Sequence, residues 1–170
     1  MLTRALAAAM ESRFRRRFFG ATSILEGADI QPGQTILEVG CGTGYFTLPV
    51  ARFIGEQGCL VAIDVLPEAV RLVGDRVRHA ELDNVRVIQC DALEAGLKSG
   101  PFHAVLLFGV IPAPMLPLGR LLPELHRLLR SEGELAVWPP IPGWLPKSIL
   151  RSGLFTLSSK RKSVYNFRPC

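Results

Sequence analysis

The chain of 170 residues carries only four cysteines, Cys41, Cys59, Cys90 and Cys170, and no C-x-x-C pair. No histidine stands at zinc-finger spacing from them, which excludes the usual signatures of a structural zinc site and of a disulfide scaffold. Free thiols suit a reducing compartment, so the expected location is the cytoplasm. Long unbroken apolar runs are also missing. The longest uncharged stretch, 99–119, could span a bilayer by length, but Pro101, Pro112, Pro114 and Pro117 interrupt it. It reads as a buried strand followed by a loop, with no transmembrane span. Nor do the opening residues read as a secretory leader, because Arg13, Arg15, Arg16 and Arg17 follow the apolar residues instead of preceding them. Repeats and low-complexity segments are absent. With 48% hydrophobic and 21% charged residues the chain is globular and not disordered. Its length fits one domain, 1–170, and leaves no room for a second substrate domain.

Acidic residues are absent from 147–170, which hold six basic groups, and residues 1–20 hold five arginines against one glutamate. The stretch between them, 21–146, has nine basic and fourteen acidic groups. An acidic core is thus flanked by two basic ends. Such ends can attract anionic membrane or RNA, or serve as plain solvated surface. For RNA, no aromatic stacking platform accompanies the arginines. Leu2, Leu6, Met10, Phe14 and Phe18 recur every four residues and predict a basic amphipathic helix over 2–19. That helix would pack on the domain, form a lid over the site, or lie on anionic lipid.

From there strands and helices alternate. Strands are expected at 35–39, 60–63, 85–88, 102–108 and 134–138. Helices are expected at 45–54, 67–79, 92–98, 118–129 and 146–151. Two closing strands, 154–158 and 164–167, would form a terminal hairpin within 154–168, joined by a polar loop at 159–163. This alternation specifies a parallel α/β sheet with helices on both faces, and the unbroken apolar strand 102–108 agrees. The hairpin adds an antiparallel strand at one edge.

Ligands of open α/β sheets sit at the carboxyl ends of strands. The first strand ends in Glu38-Val39-Gly40-Cys41-Gly42-Thr43-Gly44, where glycines allow a sharp turn and close approach of a ligand. A dinucleotide turn needs G-x-G-x-x-G over a diphosphate. Here the spacing is G-x-G-x-G, and the third dinucleotide glycine is missing. Asp64 closes the second strand and Asp91 comes just after the third. A carboxylate after strand two suits a ribose diol, since each hydroxyl can donate to one oxygen. Together Glu38, Asp64 and Asp91 favour a ligand with a cationic amine, a diol and a donor-bearing base, but no phosphate. S-adenosylmethionine has those features. An NAD-type dehydrogenase is the rival enzyme class, and a non-catalytic binding module is the rival outside enzymes.

The segments ILEVGCGTGYFTLPVA, VAIDVLPEAV, NVRVIQCDALEA and LLPELHRLLRSEGELAVW succeed one another as in class I S-adenosylmethionine-dependent methyltransferases. The chain resembles that family over about residues 30–140, and most of all its small-molecule group that includes the ubiquinone and menaquinone enzymes. The resemblance implies a three-layer Rossmann-like fold whose seven-stranded sheet has the order 3-2-1-4-5-7-6. It implies a cofactor-binding core at 30–138. Glu38 and the turn Gly40, Cys41, Gly42, Thr43, Gly44 would hold the methionine part. Asp64, with the adjoining Val65, would meet the ribose; Asp91 would meet the adenine amine, and Ala92 the ring through its N–H. Phe108 and Gly109, with Val110, would line the methyl-donor site. S-adenosylhomocysteine would be the product.

No catalytic residue is assigned. The loop after strand four, 109–115, contains no acid or base. It also lacks the Asn/Asp-Pro-Pro-aromatic motif of enzymes that methylate exocyclic base amines. An apolar, small-molecule or lipid-like acceptor is therefore expected, with a phospholipid or RNA acceptor as the alternative. His103 falls at the wrong end of the sheet, His79 at a helix terminus and His126 inside a helix, so none is expected to be catalytic. Residues 139–146 are apolar and stiff and would wall the acceptor pocket.

Overall fold

The apolar strands assemble into one seven-stranded sheet, seen in a computed structural model that describes residues 20–111, 116–139, 141 and 146–170. In chain order the elements are α1 (Ala21–Leu25), β1 (Thr35–Val39), α2 (Thr47–Ile54), β2 (Cys59–Asp64), α3 (Pro67–His79) and β3 (Val85–Gln89). Then come β4 (Phe102–Phe108), α4 (Leu118–Leu128), β5 (Leu129–Trp138), α5 (Lys147–Arg151), β6 (Phe155–Arg161) and β7 (Val164–Pro169). The sheet order is β3-β2-β1-β4-β5-β7-β6, the expected one. Strands β1 to β5 run parallel, whereas β7 is antiparallel to both β5 and β6.

Side chains alternate across a strand, so each strand feeds two cores. Ile36, Leu60 and Leu106 face one side, where they pack with Ile24 and Leu25 of α1 and with Val50 and Ile54 of α2. Leu37, Val105 and Leu107 face the other, against Leu121 and Leu125 of α4 and Ile149 of α5. Leu106 and Leu107 are both fully buried. Each such side chain contributes roughly 1.5–3 kcal/mol. Register sets the site: Val39 stands beside Ile63, and Ile63 beside Ile88, so the first three strands end at one level.

Three expectations need correction, and one element was not expected. No helix forms at 92–98: a single Glu94 N–H to Asp91 carbonyl bond makes one turn, and Gly96 at φ 62° breaks any continuation. β5 begins at Leu129, directly after α4, and not at residue 134. Its register against β4 jumps between the Phe102–Leu129 and Ala104–Glu134 pairs, so an irregular, bulged stretch precedes the regular strand. The hairpin loop is shorter than expected. Only Lys162 and Ser163 turn, at φ 46° and 66°, and residues 159–161 belong to β6. The short helix α1 went unforeseen. The expected helix at 2–19 lies outside the described residues, as do residues 112–115, 140 and 142–145 of the two expected pocket walls.

No helix among the described residues is long and apolar enough to cross a membrane. The basic C-terminal segment is largely paired. Arg161 meets Asp29 at 2.8 Å, Lys162 pairs with Glu26, Arg168 reaches Glu134 at 3.1 Å, and the Lys160 ammonium lies 4.7 Å from the centre of the Tyr165 ring.

Candidate cofactor and acceptor site

The glycine turn leaves β1 with three left-handed residues, Gly40, Gly42 and Gly44, at φ 73°, 54° and 80°. A side chain at these angles is strained, so glycine is required. Gly40 also has no room, because a Cβ there would sit 2.9 Å from Val110. The turn is fastened to the end of β2. Gly40 and Cys41 N–H groups both donate to the Ile63 carbonyl, at 2.8 and 3.1 Å. Gly42 N–H donates to Asp64 Oδ2 at 2.9 Å, and Leu66 N–H donates to Asp64 Oδ1 at 3.0 Å. Asp64 thus bridges the turn after β1 and the start of α3. Each carboxylate oxygen has about two lone pairs, so one per oxygen remains for further donors. That arrangement matches the two hydroxyls of a ribose.

Glu38 stands behind the turn. Period-two alternation puts it on the face of Ile36, toward the first residue of α2, and Thr47 Oγ1 donates to its Oε2 at 2.6 Å. The carboxyl is 2% exposed, and burial pushes its pKa up to about 8, against the lowering effect of Thr47 and with a further push from Asp64. At neutral pH it is mainly protonated. Cys41 is buried beside these two acids, and desolvation first, then Glu38 and Asp64, holds its thiol far above the ordinary range. It is no nucleophile. Thr43 Oγ1 is buried with no hydrogen-bond partner. An orphaned hydroxyl in the wall of the turn is what a polar ligand would satisfy.

Asp91 and Ala92 lie just past β3. Cys90 N–H donates to the Asp64 carbonyl at 3.1 Å, which brings the third acid beside the second. Asp91 Oδ1 accepts from Leu93 N–H at 2.9 Å, and the residue is exposed. Val65 and Leu66, which follow Asp64 in the chain, are 61% and 47% exposed and offer an apolar platform beside its carboxylate. The chemistry of this edge fits S-adenosylmethionine: acceptors for a diol and an amine, an apolar plate for a flat base and a buried acid in place of a phosphate cradle.

Beyond Gly40 the edge changes character. The Phe108 ring is buried, 5.0 Å from Phe46 in an edge-on contact, and Phe46 lies 5.8 Å from Trp138 and 4.9 Å from Tyr45. Phe108 is therefore part of a packed wall, and the next two residues, Gly109 and Val110, are half-buried. Gly109 N–H is fixed to the Trp138 carbonyl at 2.9 Å, and Val110 covers Gly40. Sequence reading missed Tyr45, Phe46 and Trp138; the first two are neighbours in sequence, and Trp138 lies far from them along the chain. Their available signal was position, since each adjoins a strand end or the glycine turn. The histidines stand where expected. Thr35 N–H donates to His103 Nδ1 at 3.0 Å at the amino end of the sheet, His79 accompanies the Asp75 carbonyl, and His126 packs edge-on against Phe155.

The sequence pattern of the methyltransferase-domain family matches residues 36–133. The chain is 31% identical over 120 residues to the demethylmenaquinone methyltransferase of Listeria welshimeri, covering 68% of this chain and 50% of that protein. It is 30% identical over 123 residues to the nocamycin O-methyltransferase of Saccharothrix syringae, covering 72% and 43%. The chain therefore spans about half the length of the curated relatives it matches. A SAM-dependent methyltransferase from Aquifex aeolicus shares the fold, at TM-score 0.76 and 20% identity, with 97% of this chain and 96% of that one covered. A family pattern spanning more than half the sequence, laid over a sheet of the same strand order, excludes the dehydrogenase alternative: the chain belongs to the class I S-adenosylmethionine-dependent methyltransferases.

Proposed function

We propose that the protein transfers a methyl group from S-adenosylmethionine to a small, apolar acceptor. Residues 1–170 act as one methyltransferase domain, with 30–138 as the cofactor-binding core. Asp64 carries the reading. It is fixed by two backbone N–H groups and keeps one lone pair on each oxygen for the ribose diol. Thr43 and the glycine turn, backed by Glu38, hold the methionine part. Val65 lies against the adenine, Asp91 accepts from its amine, and Ala92 N–H faces the ring.

When bound, the cofactor supplies a methyl group already activated on a sulfonium. The protein's task is to align the nucleophile and exclude water. Such positioning is worth roughly 7–11 kcal/mol of barrier. The aromatic wall of Phe46, Phe108 and Trp138 and the apolar Val110 and Ile111 supply a dry, rigid boundary on the acceptor side. No side chain among these can take a proton. The similarity to a demethylmenaquinone methyltransferase supports an apolar acceptor of this kind. Pairing of Lys160, Arg161, Lys162 and Arg168 within the fold argues against the basic C-terminal segment as an RNA or lipid-headgroup site.

The test is to supply methyl-labelled S-adenosylmethionine and the protein to a cell extract and fractionate the products. Label is expected in the organic-extractable small-molecule fraction. Label confined to RNA or protein would overturn the acceptor class, and no label at all would overturn the transfer itself.

A further inference from the structure

A chain of hydrogen bonds runs from α3 through the glycine turn to Asp64. Arg76 Nη1 donates to the Thr43 carbonyl at 2.6 Å. The same peptide unit donates through Gly44 N–H to the Cys41 carbonyl at 2.8 Å. That second peptide unit donates through Gly42 N–H to Asp64 Oδ2 at 2.9 Å. A guanidinium cation and a carboxylate anion thus stand at the two ends of two aligned peptide units. Each bond polarises the next in the same direction, and such chains strengthen cooperatively. The loop is also closed. Asp64 Oδ1 takes the Leu66 N–H at the start of α3, the helix that carries Arg76.

We infer that Arg76 is a positioning residue for the cofactor: acting through the glycine turn, it sets the geometry and the acceptor strength of Asp64. The inference rests on the proposed cofactor site and extends it to a residue that touches no ligand. Helical spacing makes the link rigid. Val73 lies one turn before Arg76 on the same face of α3. A Cβ on Gly44 would come within 3.2 Å of the Val73 side chain. The helix therefore grips the turn twice, by packing at Gly44 and by charge at Thr43. Without the guanidinium the Thr43 carbonyl loses its donor. The Gly44 and Gly42 N–H groups become weaker donors, and the turn can rotate away from Asp64.

The test uses the full chain, with S-adenosylhomocysteine as the calorimetric probe. Arg76→Met keeps the apolar stem and removes the donor. Its dissociation constant is expected to rise about tenfold, in keeping with loss of one charged hydrogen bond. Arg76→Lys is expected to recover part of that loss. A double-mutant cycle with Asp64→Asn separates relay from general loosening. The two losses should be clearly less than additive, because either change breaks the same chain. In the unliganded protein, the Gly42 and Gly44 amide proton resonances should move upfield in Arg76→Met. Unchanged affinity, additive losses or unmoved Gly42 and Gly44 amides would each overturn the inference. If the parent protein itself fails to bind the probe, the proposed cofactor site falls, while the amide shifts still judge the relay.

Discussion

The carboxyl edge of the sheet has two halves of opposite chemistry. Over β1 to β3 it is acidic and full of backbone turns, with Glu38, Asp64 and Asp91 at three successive strand ends. Over β4 and β5 it is aromatic, with Phe108 and Trp138 as the last residues of their strands. The first half holds polar groups in fixed geometry and leaves acceptors open. The second half is a packed wall built of apolar rings. Under the proposed function, the cationic nucleoside belongs on the acidic half and the apolar acceptor on the aromatic half. It also separates the consequences of mutation, since one half is made for binding and the other for packing.

The largest expected effect tests the packing half. Phe108→Ala opens a cavity in the buried aromatic cluster and should lower unfolding free energy by about 3–5 kcal/mol in urea titrations. Its affinity for S-adenosylhomocysteine, measured where it is folded, should fall far less than that of an acidic-half variant. An equal fall would erase the distinction between the halves. Next comes Asp64→Asn. An amide cannot accept from both Gly42 and Leu66, so one N–H faces an NH2 group, and the ribose loses an anionic acceptor. Calorimetry should show affinity reduced by about 100-fold, as loss of one or two charged hydrogen bonds predicts.

Glu38 sharpens the comparison through pH. Its folded pKa is raised to about 8, whereas an exposed glutamate ionises near 4.5. Between those values the unfolded chain has released the proton and the folded chain keeps it, so stability falls as pH rises. Wild-type protein should lose about 1–2 kcal/mol between pH 6 and 7.5, and Glu38→Gln should be flatter over the same range. Parallel curves would show that Glu38 is not the group responsible. The smallest effect concerns the bridge between the halves. Arg120 and Glu94 pair at 2.9 Å across them, but their side chains are 63% and 77% exposed. Arg120→Ala should change stability by less than about 0.5 kcal/mol in thermal or urea unfolding, since solvent screens such pairs. A larger loss would mean the halves are coupled electrostatically.

Much of this was legible in the sequence because the parallel strands are buried on both faces. β1, α3 and β4 have the expected bounds: Gly40 and Gly109 follow the two strands directly, and Pro67 opens the helix. The misreadings have physical causes. Residues 159–161 are polar because β6 is a sheet edge facing water, and polarity there imitates a loop. The Lys162-Ser163 turn lacks the Asn-Gly signature that usually marks two left-handed residues. Residues 92–98 have helical composition, yet the Asp91 side chain captures the Leu93 N–H and forms a local turn instead. In the site, the acids and glycines were visible because their spacing tracks the strand ends. The Phe46–Phe108–Trp138 cluster and the Arg76 contact depend on how distant elements pack, and no local pattern encodes them.

A crystal structure with S-adenosylhomocysteine tests the division of the edge most directly. The ribose hydroxyls should donate to the two oxygens of Asp64, with the adenine between Val65 and Asp91 and the sulfur directed toward Gly109 and the aromatic wall. A nucleoside seated elsewhere, or a ribose that leaves Asp64 bonded only to Gly42 and Leu66, would contradict the account.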